Sequence, residues 1–498
     1  MVTSPLVPRT LGLHTLAPHT LALHTLAPIA TALPSPGVMA GLVIAALAAI
    51  LLLAFLMRRR VEAFPLLAVF AVPFRLPISA GGRTVNLLIP LYLVVAAGVL
   101  AHGLPWLLAK RESSRAGAPA LDVKPSRSGA RELLSSLRTI AFWRSPRGLE
   151  CLLLIAVALY AIQGTYSADR GKAAENLVFF YLPFGLLFLL LRSVRFRRAL
   201  VVRCLGLIVA EAVLFSGVGF IEYYRKTLFL NPKVVAADQF DNYFRVNSLF
   251  FDPNIYGRYL MLVMIAVTTV VLWTRTRREV TIGAVVLAWL LGGLVTSFSQ
   301  SSIAALLLGL AILAAYRWDV RATIYVSAAI VAIAAVFVAV APASLHFGLK
   351  GSGGSTSNAT SGRGKLIAGG LELFADRPLT GYGSGSFETE YRRHQATNGE
   401  NATSASHTIP ITVAAEQGIV GIAVYVALIL SALAILFGGA GRSPPRIALA
   451  AGFTALVLHT WTYADFLEDP MTWTILGIGV ALARTARTEA LEPFAPSP

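Results

Sequence analysis

RVNSLFFDPNIYGRYL, residues 245–260, opens an apolar run that continues through MLVMIAVTTVVLW, yet it carries Arg245, Asp252, Pro253, Asn254 and Arg258. Proline disfavours helical backbone in the residue before it but suits a first helical turn, where its missing N–H has no acceptor in any case. The stretch therefore predicts a helix that begins at about Pro253 with Asp252 as its N-cap. The polar residues then gather at the mouth of a membrane span rather than at its middle. Arg245 falls just outside the span, where a guanidinium either snorkels to a lipid phosphate or holds a bound anion. Arg258 lies further in and must face protein or water.

Composition agrees with a membrane setting. Of 498 residues 56% are hydrophobic and 13% charged, and mean hydropathy is +0.69, far outside the range of a soluble globular domain. Cys151 and Cys204 both lie in apolar runs and read as small buried hydrophobes. The expected fold class is an all-α polytopic membrane protein. Runs of spanning length fall at roughly 38–57, 61–78, 85–109, 149–165, 175–191, 199–220, 247–273, 280–297, 301–316, 323–342, 409–437, 446–465 and 470–484, so about 12–14 spans are expected.

Basic residues orient these spans. Arg58 to Arg60, the 110–147 loop, 192–198, 275–278, Arg317 with Arg321, Arg442 with Arg446, and Arg484 with Arg487 hold 25 of the 42 Lys and Arg, and all fall on one side if the spans alternate. That side is the cytoplasm by the positive-inside rule. The net charge of +17 is thus a topology signal, and nucleic acid is not an expected partner. On the opposite side the 343–408 segment carries six basic residues against five acids, so topology did not place its cations.

The chain divides into a tail at 1–37, spans at 38–109, a basic loop at 110–147, spans at 148–342, an outer loop at 343–408, spans at 409–487 and a tail at 488–498. The first tail holds a period-ten repeat with His14, His19 and His24, which reads as disordered rather than as a metal site. In the outer loop, SGRGKLIAGGLELFADRPLTGYGSGSF (361–387) predicts a short amphipathic helix with Arg363 at its start, able to lie along the membrane surface and ended by Pro378. GYGSGSF after it reads as a flexible turn, without the lysine of a phosphate loop. In ENATSASHTIPITVAAEQGIVGIAVYV (400–426), Ser404 or Ser406 caps the next span and His407 falls in its first turn, where an anion is welcome. Glu416 lies nine residues on, about half a turn round the helix from His407, and reads as structural.

RVNSLFFDPN, the SGRGKLIAGG to GYGSGSF loop and SHTIPITVAAEQGIVG, in that order in one multi-span chain, resemble the O-antigen ligase and Wzy-type polymerase superfamily over roughly residues 240–440. The resemblance implies a GT-C-like membrane glycosyltransferase, free of metal and other cofactors. Its donor is a glycan on undecaprenyl diphosphate, and its acceptor is a glycan or lipid-linked hydroxyl at the outer face. It implies that Arg245 and Arg363 hold the diphosphate and that His407 activates the acceptor. Arg258, Asn254, Gln300, Lys365 and Asp465 join them as substrate-contacting candidates. Two positions depart from the family pattern: Ser299-Gln300 stands where Ser-Arg is common, and Thr408 follows the histidine in place of Asn. The chemistry suits these residue types, since arginine forks stabilise charge growing on a diphosphate and histidine titrates near neutrality. No HxxEH, DxD or Cys/His ligand spacing occurs on the outer side. A flippase of lipid-linked sugars is the competing class, but such folds show internal repeats and mid-membrane broken helices, whereas these polar clusters gather at one surface.

Overall fold

The structure, a computed structural model, describes residues 36–80, 83–103, 140–230, 244–321, 324–325, 356–394, 406 and 408–491. The histidine repeat, most of the 110–147 loop, most of the apolar run at 323–342 and His407 lie outside the described residues.

The chain is an all-α polytopic membrane protein. Among the described residues eight helices are long and apolar enough to cross a membrane. They are α1 (Gly37–Arg59), α4 (Pro146–Gly164), α5 (Arg170–Leu191), α6 (Arg198–Arg225), α7 (Pro253–Trp273), α8 (Arg277–Thr296), α9 (Gln300–Arg317) and α12 (Ile409–Phe437). Shorter helices α2 (Ala63–Ala71) and α3 (Ile89–Gly98) lie between α1 and α4, and α10 (Thr356–Asp376) and α11 (Phe387–His394) precede α12. The helices α13 (Pro444–Thr462) and α14 (Pro470–Leu491) complete the bundle.

The run at 61–78 is not a span. Pro65 sits in the first turns of α2, where no N–H is needed, but α2 stops at Ala71 ahead of Pro73. An antiparallel hairpin follows, β1 (Leu76–Ala80) with β2 (Arg83–Leu87), Leu76 opposite Leu87. This hairpin also takes the start of the expected 85–109 span, whose helix begins only at Ile89.

α7 begins as its sequence requires. Asp252 is extended, its carboxylate accepts the Asn254 N–H at 2.7 Å, and Pro253 fills the first turn. This helix is the hub: it packs on α6, α8, α9 and α13, and 67% of its apolar stretch is buried, against 6% for α1. At one end of the bundle the basic residues fasten neighbouring helices. Arg192 and Arg484 share Glu150 at 2.5 Å, Arg203 pairs with Glu62, and Arg317 donates to the Leu272 carbonyl at 2.9 Å. Alternating spans bring these groups together, as the charge pattern requires.

Between α9 and α12 the chain builds a satellite core from Leu366, Leu373, Tyr382, Phe387, Tyr391 and Ala415. α10 is longer than its sequence predicts. It starts at Thr356, so Arg363 lies within the helix rather than at its start, and no proline interrupts residues 343–377 to stop it earlier. Its buried face is spent on α11 and α12, while Leu371 remains exposed.

Candidate active site

At the bundle end opposite the basic residues, Arg258 is fully buried one turn into α7. A buried guanidinium is tolerable only if its N–H groups find acceptors and its charge a partner. Nε donates to Nδ1 of His459 at 3.2 Å, Nη2 to the Ala464 carbonyl at 2.6 Å, and Nη1 to the Asp465 carbonyl at 3.1 Å and to the Asp469 carboxylate. Asp469 is also fully buried, and Arg75, just before β1, approaches its other oxygen at 3.9 Å. The 463–469 loop between α13 and α14 is thereby clamped onto α7.

A hydrogen-bonded run leads outward from this clamp. Because Nδ1 of His459 accepts from Arg258, its proton sits on Nε2, which donates to the Ser302 hydroxyl at 3.0 Å. Ser302 lies 2.7 Å from the Ser299 hydroxyl, which donates to Oδ1 of Asn254 at 3.0 Å. The same oxygen accepts from Nη2 of Arg245 at 3.3 Å, and Nε of Arg245 donates to the Ser297 carbonyl at 3.3 Å. Arg245 and Arg258 therefore stand at the two ends of one polar string, through Asn254, Ser299, Ser302 and His459. Tyr463 joins it, its ring centroid 5.7 Å from the Arg258 guanidinium carbon, and burial pushes its phenol well above the ordinary range.

Backbone strain collects in the same place. Ser248, Phe298 and Asp465 all have positive φ, at 52°, 50° and 70°. Such conformations cost non-glycine residues about 1–3 kcal/mol each and persist where the surroundings over-determine them. All three border the segments that carry Arg245, Ser299 and the Arg258 carbonyl acceptors.

A second polar seam lies at the start of α12, where the helix is broken. Gly418 has φ 64° and ψ −161°, inside an otherwise helical run. The freed carbonyls of Ala415 and Glu416 accept from the N–H groups of Tyr382 and Gly383 at 3.1 and 2.8 Å, and Ile419 N–H donates to Pro378 at 2.8 Å. The Glu416 carboxylate takes the Gly385 and Phe387 N–H groups at 2.8 and 3.1 Å, capping α11. GYGSGSF is thus a docked segment rather than a flexible turn. A Cβ on Gly381 would lie 2.3 Å from the Glu416 backbone, and one on Gly418 would lie 2.4 Å from the Leu379 carbonyl.

Of the residues singled out in the sequence, the structure brings together Arg245, Asn254, Arg258 and Asp465. Gln300 opens α9 beside Ser299 and is exposed. Lys365 is exposed on α10, and Arg363 lies on the same helix with its side chain outside the described residues. His407 falls between Ser406, whose hydroxyl donates to the Thr408 carbonyl at 2.7 Å, and Thr408, the N-cap position of α12. Arg258 is committed to protein acceptors, which makes it a clamp more than an anion ligand. The sequence reading passed over His459, Asp469, Ser302 and Arg75. A histidine inside an apolar helix is itself a signal, since ionisable groups at membrane depth are costly to keep.

Comparison with known proteins narrows the class. No curated protein matches the chain. Residues 283–426 match a protein family described as O-Antigen ligase. The match takes in Ser299 to Ser302, the satellite core and the broken start of α12, and it supports a glycosyltransferase-like ligase or polymerase role in a multi-pass membrane protein. The match over residues 283–426 supports membership of the O-antigen ligase superfamily.

Proposed function

We propose that the chain transfers a glycan from an undecaprenyl diphosphate carrier to a hydroxyl acceptor at the outer face of the cytoplasmic membrane, as an O-antigen ligase or a polysaccharide polymerase. The polar string from Arg245 to Asp469, built at one end of an apolar bundle, carries this reading. The positive-inside rule puts that end outside the cell.

In the proposed reaction the acceptor oxygen bonds to the anomeric carbon as the bond from that carbon to the phosphate oxygen breaks. The electron pair of the broken bond stays on the departing diphosphate, and the hydroxyl proton passes to a base. Arg245, at the outer end of the string, pairs phosphate oxygens and stays protonated throughout. Arg363 supplies the second guanidinium and Lys365, on the same helix, a further charge. His407 is the base, because imidazole titrates near working pH. Asn254 and Gln300 line the donor side. Arg258 acts as a positioning residue that fixes Asn254, His459 and the Asp465 loop. No step passes through a metal or cofactor.

The reading is tested by replacing His407 and Arg363 singly with Ala in a strain lacking the native chain, and measuring glycan transfer from the lipid-diphosphate donor. Transfer should fall by about a hundredfold or more in each. Wild-type transfer in both variants ends the proposal, and translocation without transfer would favour a flippase. Shortened chains in the deletion strain identify a polymerase, and unattached full-length chains a ligase.

A further inference from the structure

The 463–469 loop has two sides. Ala464, Asp465 and Asp469 face Arg258, whereas Phe466, Leu467 and Glu468 line a cavity of about 70 Å³ together with α4, α5 and the stretch of α12 from Ile409 to Leu428. We propose that this cavity is the acceptor subsite, where Glu468 and Tyr160 take the hydroxyls of a neutral sugar; this rests on the glycosyl-transfer reading above.

Four observations support it. The volume has room for about five waters, which suits the hydroxyl-bearing edge of one sugar ring. Its walls carry two carboxyl groups, Glu416 and Glu468, and among the described residues neither forms an ion pair. The lining holds no Lys or Arg, so it offers a phosphate no counter-charge, while its carboxyl groups can pair with hydroxyls. Asn176, 3% exposed, joins the Tyr160 hydroxyl and the Glu468 carboxyl through its amide N–H groups at 2.9 and 2.8 Å. Asn176 thereby holds the two lining groups, Tyr160 and Glu468, in fixed relation to each other. Finally, Tyr160 stacks on Tyr181 with centroids 4.2 Å apart, so the cavity has a fixed aromatic wall beside its polar groups.

Burial, reinforced by Asp465, pushes Glu468 up to about 8. At neutral pH it is therefore chiefly a carboxylic acid, able to donate to a sugar oxygen and accept from a sugar hydroxyl. Glutamine keeps both capacities and alanine neither. One loop thus separates the arginine string from a hydroxyl-binding pocket, as a transfer between two bound substrates requires.

The test uses the full chain in proteoliposomes, with donor and acceptor lipid fractions extracted from a strain lacking it. Titrating acceptor at fixed donor, and donor at fixed acceptor, gives an apparent KM for each. Glu468→Ala should raise the acceptor KM about tenfold and leave the donor KM unchanged, while Glu468→Gln stays within about twofold of wild type. Val413→Phe, which fills the cavity without replacing a carboxyl, should shift the acceptor KM in the same direction. An unchanged acceptor KM in Glu468→Ala and Val413→Phe, or an equal rise in both KM values, overturns the pocket and leaves the transferase reading standing. Absence of transfer by the wild-type chain overturns both.

Discussion

Arg258 and Glu416 are both charged side chains sunk into the same end of an apolar bundle, and they are satisfied in different ways. Arg258 has an opposite charge, Asp469, together with carbonyl oxygens and a histidine. Glu416 has only backbone N–H groups from a glycine-rich segment. The first arrangement locks one helix to the loop between two others. The second holds a broken helix against the loop that precedes it. The difference divides the work: the arginine clamp fixes the string that the proposed function makes the donor site, and the glutamate cap fixes the wall of the neighbouring pocket.

Breaking the clamp should have the largest effect on folding. Asp469→Ala leaves a buried guanidinium without its counter-charge and should cost about 3–5 kcal/mol, lowering the melting temperature of the purified protein. Arg258→Met combined with Asp469→Leu removes both charges and should be far less damaging than the sum of the single losses. Additivity of the two would deny that they act as a pair.

Breaking the second seam should cost less. Gly418→Ala forces a side chain into a backbone region essentially reserved for glycine, against the Leu379 carbonyl, at about 3 kcal/mol. An unchanged melting temperature would show that the helix break is dispensable. Glu416→Gln keeps one acceptor oxygen of the two and should cost about 1–3 kcal/mol.

The pocket side also carries a pH dependence. Burial raises Glu468 from the usual carboxyl value to about 8, so the folded protein binds a proton that the unfolded chain releases. This contribution to stability is complete below about 4.5 and is lost as pH rises through about 8. Glu468→Gln should reduce the loss of thermal stability across that window, and an unchanged slope would place the titrating group elsewhere.

Much of this was legible in the residues. Pro253 and Asp252 announce the start of α7, the arginine groups announce the alternation of spans, and the later two of three separated motifs fall in the stretch that resembles O-antigen ligases. Three things were not. The hairpin at 76–87 hides in an apolar stretch, because hydropathy cannot tell a span from a short helix and two strands. The break at Gly418 is invisible to periodicity, since the helix resumes almost at once, and only its docking with Gly381 reveals it. The clamp joins Arg258 to His459 and Asp469 across about two hundred residues, a proximity that no local pattern encodes.

The central claim is that Arg245, at the far end of the string from Arg258, grips the diphosphate while Arg258 holds the string in place. Binding of undecaprenyl diphosphate to the purified chain tests it most directly. Arg245→Ala should weaken Kd by about 10–100-fold, the loss of a charge-assisted contact, while the melting temperature stays within about 2 °C of wild type. An unchanged Kd in a folded Arg245→Ala protein would contradict the account.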